Sequence, residues 1–216
     1  MKRLILIALA ACCLLCACHG NDYTPKPQAY LRIDMPEHNY WLVDTLRYPD
    51  TPYWIGDSIQ VLRHDKPYVT FPFRFEANQC IELAEKDSPK GELWLDIKYP
   101  QWDGVVFLTY RRLPSPDSLR SQTDESLRYL EQHYPFASGV EEQAYEDIEN
   151  KVYGTVYYLK GSKVASTCQF WLTDSTRHYL RGALYLNVVP NNDSLAPVID
   201  YIQADIEHLV ETLRWQ

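Results

Sequence analysis

The last part of the chain carries the strictest constraint on the fold. Leu195, Val198, Ile199, Ile202, Ile206, Leu209, Val210 and Leu213 recur at helical spacing, and Glu207, Glu211 and Arg214 fall off that stripe. Asp193-Ser194 supplies a capping signal ahead of it. The spacing predicts a helix to about Trp215, roughly 30 Å long at 1.5 Å per residue. An apolar stripe of that length needs a broad apolar surface, and a β-sheet face provides one.

Upstream segments read as that sheet. Leu93 to Tyr99 alternates apolar and mixed residues, Pro100 to Gly104 is a hairpin connection, and Val105 to Tyr110 is the return strand. Ser115-Pro116-Asp117 predicts a helix start, with Ser115 as the cap and Pro116 at the first helical position. Leu119, Leu127, Leu130 and Tyr134 form its stripe, and Pro135 ends it. Val152 to Leu159 and Val164 to Leu172, joined by Lys160-Gly161-Ser162-Lys163, predict a second hairpin, and Tyr179 to Val188 a further strand. Between residues 37 and 92, Tyr, Trp and Pro recur in a pattern of short strands and turns. The 17 tyrosines and 6 tryptophans favour a strand-rich body, and short connections favour antiparallel pairing. The expected fold class is α+β: an antiparallel β-sheet covered by helices, including a long C-terminal helix. On element order alone this resembles the PsbP-type layered architecture.

The N-terminus fixes an address. Lys2-Arg3 precedes an uncharged run from Leu4 to Ala17, the pattern of a secretory signal. That run is shorter than the roughly 20 apolar residues of a spanning helix. Leu15-Cys16-Ala17-Cys18 has the layout of a bacterial lipobox, which makes Cys18 the expected lipid attachment site. Leu9-Ala10-Ala11-Cys12 matches by letter but leaves a minimal apolar core before the cut, so Cys12 is the alternative. Residues 1–17 then read as signal peptide, 18–36 as lipidated N-terminus and extended tether, and 37–216 as a single α+β domain. Acyl chains contribute about 0.8 kcal/mol per buried methylene, so they hold the protein at a membrane without a spanning helix.

Charge and cysteines narrow the function. Losing Lys2 and Arg3 takes the formal charge from −8 to about −10, and no basic tract follows Arg3. Nucleic-acid binding, which needs clustered Lys and Arg, is disfavoured. Of the 6 cysteines, only Cys80 and Cys168 lie beyond Cys18. They make no zinc ligand set; one disulfide and two buried free thiols both remain open. Neither a cofactor nor a metal is expected.

Several segments resemble the GldD gliding-motility lipoproteins of Bacteroidota. They are Asp22-Tyr23-Thr24-Pro25-Lys26-Pro27 with Tyr30-Leu31-Arg32-Ile33; Lys151-Val152-Tyr153-Gly154 with Ala165 to Phe170; Thr173 to His178 with Leu180-Arg181-Gly182-Ala183-Leu184-Tyr185; and Pro190-Asn191 with Asp193 to Val198. The ending Asp205-Ile206 through Trp215 also fits. The chain departs from the family pattern at Gln28-Ala29, around Cys80, and after His133. The resemblance implies a non-enzymatic part in gliding motility and the associated type IX secretion apparatus, with other envelope lipoproteins or membrane proteins as partners. His19-Gly20-Asn21-Asp22 carries one acid, short of the acidic run of surface-exported lipoproteins, which favours a periplasm-facing protein on either membrane.

The same stretch supplies the candidate site. Asp174, Ser175, Thr176, His178, Arg181 and Asn191 would form one polar interaction patch if the 173–178 turn and the Pro190-Asn191 corner share a sheet end. The plainer alternative is that these residues fix turns and cap the last helix, with Arg181 paired to an acid on the exposed sheet face. A small-ligand-binding lipoprotein, with a pocket in the aromatic 40–75 region, is a second functional expectation. An envelope hydrolase is a third, and it requires His133 or His178 within reach of a serine or carboxylate; no Gly-x-Ser-x-Gly motif is present.

Overall fold

Strand alternation decides how this sheet is covered. In a computed structural model, which describes residues 34–47, 51–55, 58–62, 68–89, 91–115 and 117–216, the main sheet has seven antiparallel strands. They are β5 (Glu82–Lys86), β6 (Glu92–Tyr99), β7 (Gly104–Arg112), β8 (Gly139–Asp147), β9 (Val152–Lys160), β10 (Cys168–Thr173) and β11 (His178–Leu186), in the order β5-β6-β7-β11-β10-β9-β8. Because the side-chain period is two, Leu95 and Ile97 of β6, Val106 and Leu108 of β7, Leu180 and Leu184 of β11 and Phe170 and Leu172 of β10 share one buried face.

Two elements close that face. The first is the C-terminal helix α2 (Asn192–Thr212), whose Val198, Ile202, Ile206 and Leu209 join the core. The second is a three-stranded antiparallel sheet, with β1 (Tyr40–Arg47) and β12 (Arg214–Trp215) flanking β4 (Tyr68–Asn78). Phe71, Phe73 and Phe75 alternate along β4 and are fully buried. The opposite face of the main sheet is covered in part. Helix α1 (Ser118–Glu131) lies against β10 and β11 and builds a smaller cluster of Leu130, Tyr157, Leu159 and Val164. A separate hairpin pairs β2 (Thr51–Ile55) with β3 (Ser58–Leu62). The α+β class, the antiparallel sheet and the long C-terminal helix are as expected, and the layering is compatible with the PsbP-type arrangement.

The differences from the sequence reading have local causes. Strand β8 went unpredicted: Glu141, Glu142, Glu146 and Asp147 line an edge strand whose side chains are nearly all exposed, so no apolar alternation marks it. β10 begins at Cys168 rather than Val164, because residues 161–167 form the connection. The first helix starts at Ser118; Asp117 is its N-cap, with no side-chain bond, and Ser115 contributes its carbonyl to the Ser118 amide at 3.0 Å. Tyr134 belongs to a 3-10 turn with Pro135 after the helix, and is exposed. Helix α2 stops at Thr212, since Arg214 and Trp215 leave it to pair with Arg74 and Phe73. Cys80 and Cys168 are both free thiols. The signal peptide, Cys12, Cys18, the tether up to residue 33 and Pro116 lie outside the described residues.

Close backbone approach makes one glycine indispensable. A Cβ on Gly154 of β9 would sit 2.0 Å from the Trp171 carbonyl oxygen of the neighbouring strand, a backbone atom that cannot swing away. Gly154→Ala is expected to destabilise the protein by about 3 kcal/mol, read as a lower midpoint in urea unfolding.

Candidate functional site

The residues singled out from sequence fall in three places. Asp174 organises the turn between β10 and β11. Its Oδ1 accepts the amides of Thr176, Arg177 and His178 at 2.9, 2.7 and 2.8 Å, and its Oδ2 accepts the Thr176 hydroxyl at 2.6 Å. Burial acts to raise the Asp174 pKa, but the Thr176 hydroxyl and the three amides outweigh it and hold the group at about 2. Ser175 takes a left-handed φ of 67°, and its amide donates to Thr173 Oγ1 at 3.0 Å. The His178 ring stacks on Trp215 with centroids 5.1 Å apart, and its Nδ1 lies 2.9 Å from the Tyr110 hydroxyl. Asn191 sits past the other end of β11, at the N-cap of α2, donating to Ser194 Oγ at 3.1 Å. The nine residues of β11 put about 30 Å between that corner and the turn, so the expected single patch does not form.

Arg181 goes elsewhere again, to the sheet face under α1. Its guanidinium lies over the Tyr129 ring, 4.6 Å from the centroid, and donates from Nη2 to Gln169 Oε1 at 3.2 Å. No described acid forms an ion pair with Arg181; burial lowers its pKa below the ordinary value, against the opposing pull of the neighbouring tyrosines and Glu125. Arg181 helps to line a pocket of about 170 Å³ with Trp94, Tyr129, Tyr179, Arg111 and Glu125. Arg111 and Gln122 are shared walls between this pocket and a neighbouring open trough of about 970 Å³, where Arg112, Arg177, Thr176 and Ser115 stand. Arg111 is charge-paired within the groove, with Glu92 at 3.3 Å and with Glu125, and donates to Gln122 at 2.7 Å, while its buried Nε makes no hydrogen bond. Arg112 and Arg177 are exposed and form no ion pair with a described residue.

A second cluster escaped the sequence reading. Asp205 lies on the apolar stripe of α2, three residues after Ile202, and is 5% exposed. Its carboxyl group accepts from Tyr40 (3.0 Å), Tyr99 (3.0 Å) and Asn78 (3.1 and 3.2 Å), and lies 2.7 Å from His38 Nδ1. Burial, then the charge of Asp205, keeps the Tyr40 and Tyr99 hydroxyls well above their ordinary pKa, so both stay donors. His38 stacks on Tyr201 at 4.1 Å and Tyr40 on His208 at 3.6 Å, while His208 Nε2 reaches Glu76 at 2.8 Å. The available signal was an acid at a core position of the helical stripe.

Chemically, the two clusters differ. The Asp205 cluster includes Cys80, whose sulfur lies 3.8 Å from the Tyr201 hydroxyl; burial raises the thiol pKa, the opposite of an activated nucleophile. His133 and His178 contact tyrosine hydroxyls, Tyr185 at 3.3 Å and Tyr110 at 2.9 Å, rather than a serine or carboxylate. Among the described residues, no group of three His, Cys, Asp or Glu is placed to hold a metal ion, and no helix is long and apolar enough to cross a membrane. Of the aromatic 40–75 region, Val43, Phe71, Phe73 and Phe75 are core residues while Trp41 and Leu42 are exposed, and no described residue of it lines the groove. The groove is therefore the candidate site, and the Asp205 cluster its structural counterpart.

Compared with known families, residues 59–215 match the profile described as gliding motility lipoprotein GldD. No curated protein matches the chain.

Two substitutions check these assignments. Asp174 has a depressed folded pKa, so its contribution is full above the unfolded value near 3.9 and is lost as pH falls toward about 2. After discounting for solvent exposure, Asp174→Asn is expected to cost about 1 kcal/mol at pH 7 and almost nothing at pH 2, measured by urea unfolding at both. Asp205→Ala strands buried donors of Asn78 and Tyr99, and should cost about 3 kcal/mol or more in the same assay.

Proposed function

We propose that this chain, which belongs to the GldD family of gliding motility lipoproteins, is a lipid-anchored envelope protein that works by binding other components of the motility and type IX secretion machinery. In this reading the acyl groups on Cys18 hold the α+β body at a membrane, facing the periplasm, and the body is a docking module without catalytic chemistry. The observation that carries the reading is the groove between α1 and the sheet. It is open and lined by four arginines, of which Arg112, Arg177 and Arg181 form no ion pair with a described acid. Shallow polar troughs with aromatic and arginine walls suit protein partners, whereas small ligands favour enclosed apolar cavities. The raised Cys80 pKa and the tyrosine-bound His133 and His178 support a non-enzymatic role.

Two measurements test this. Metabolic labelling with palmitate should tag the wild-type protein and Cys12→Ala, and miss Cys18→Ala; labelling that follows Cys12 instead would move the anchor. Crosslinking the full-length lipidated protein in its own cells should co-purify envelope motility or secretion components. Recovery of the protein alone, under conditions where those assemblies survive, would turn the reading toward ligand binding or catalysis.

A further inference from the structure

Arg181 occupies an expensive position. It is half-buried beneath α1, stacked on Tyr129, and donates to the neutral side-chain oxygen of Gln169. A guanidinium withdrawn from water without an anion loses solvation that a carboxylate would restore. The groove holds two glutamates, but Arg111 engages both Glu92 and Glu125. Beside Arg181, Gln169 is 3% exposed, and its Nε2 is a buried donor with no partner. Donors thus outnumber acceptors around this pocket, and such an imbalance calls for an acceptor from outside.

The dimensions and walls specify the acceptor further. A pocket of about 170 Å³ has room for one acidic side chain and is below the usual range for a cofactor or drug-sized ligand. It shares the Arg111 wall with the larger trough, where Arg112 and Arg177 stand without an ion pair to a described residue. Trp94, Tyr129 and Tyr179 offer flat apolar surface to the stem of a bound side chain. The chain as a whole is at −8, so four arginines against two glutamates in this groove are a local reversal of sign. An acidic segment would be drawn here and repelled by most of the remaining surface. Arginine, with its planar fork, suits carboxylates in two-point contact.

We propose that the groove between α1 and the sheet binds an acidic peptide segment of a partner protein, with one carboxylate seated on Arg181 and further acidic side chains met by Arg112 and Arg177. This rests on the docking reading above and names the chemistry of its partner. Gln169 Nε2 is available as a second donor beside the seated carboxylate. Arg181 is thereby a binding residue held in place by Tyr129 and Gln169, and its cost to the free protein is recovered on binding.

The test uses the full chain in detergent and a fluorescein-labelled peptide of about twelve residues alternating Glu and Gly, with Gln replacing Glu in the control. Anisotropy at about 50 mM salt should give binding to the Glu peptide at least about tenfold tighter than to the Gln peptide. Arg181→Met should lose at least about tenfold in affinity while its Tm stays level or rises, since an unpaired guanidinium is replaced by an apolar chain of similar length. Equal binding of the two peptides, no binding of either, or wild-type affinity in Arg181→Met overturns the proposal. Complete displacement of the Glu peptide by about 1 mM inorganic phosphate also overturns it, because the site would then be one for a small anion. If Arg181→Met fails to fold, the exposed pair Arg112→Gln and Arg177→Gln decides: a loss of about threefold or more with a flatter salt dependence supports the groove, and unchanged affinity overturns it. Cellular partners that crosslink equally well to wild type and to these variants would sink the groove while leaving the docking function standing. Binding of the Glu peptide without any cellular partner would do the reverse.

Discussion

Burying the carboxyl group of Asp205 against the core face of α2 imposes a condition that the surrounding structure has to meet. Its two oxygens must find donors inside the protein, and they draw them from four residues on three segments: His38 just before and Tyr40 at the start of β1, Asn78 at the end of β4 and Tyr99 at the end of β6. Hydrophobic contact alone would let α2 slide or rotate on the sheet, because apolar packing is weakly directional. A buried acceptor with several directed donors fixes one register, at the cost of desolvating every member. The stacked pairs His38–Tyr201 and Tyr40–His208 extend the lock to the chain entering the body, where a tether from a membrane anchor would arrive.

The two faces of the main sheet follow different rules. The core face is closed by α2 and by β4, whose three phenylalanines are fully buried there. The other face has a single 14-residue helix over β10 and β11, and the strands β6 and β7 continue beyond it. Polar residues therefore collect along the edge of α1, with Arg111 compensated by two glutamates and Arg181 uncompensated. The uncompensated Arg181 and the incomplete cover thus have the same origin: one helix is too narrow for a seven-stranded sheet. The acid-lined β8 guards one sheet edge against pairing with another chain.

What the sequence by itself determined was whatever depends on period and local chemistry. The α2 stripe, the β6–β7 hairpin, β11 and the antiparallel α+β class were legible because each element buries one face and shows its period in consecutive residues. The Asp174 turn was legible for a similar reason, since its bonds span only four residues. β8 was not, because an exposed edge strand buries too little to leave a pattern, and the ends of both helices shifted where tertiary pairing and carbonyl caps took over from side-chain capping signals. Only the tertiary structure decided the sites. Arg181 and Asn191 are ten residues apart and go to different regions of the fold, while Arg181, Tyr129 and Trp94, far apart in sequence, meet in one pocket. Asp205 gathers residues up to 167 positions away. Pairings across strands and layers are set by register and packing, which depend on the whole fold and leave no periodic trace in the sequence.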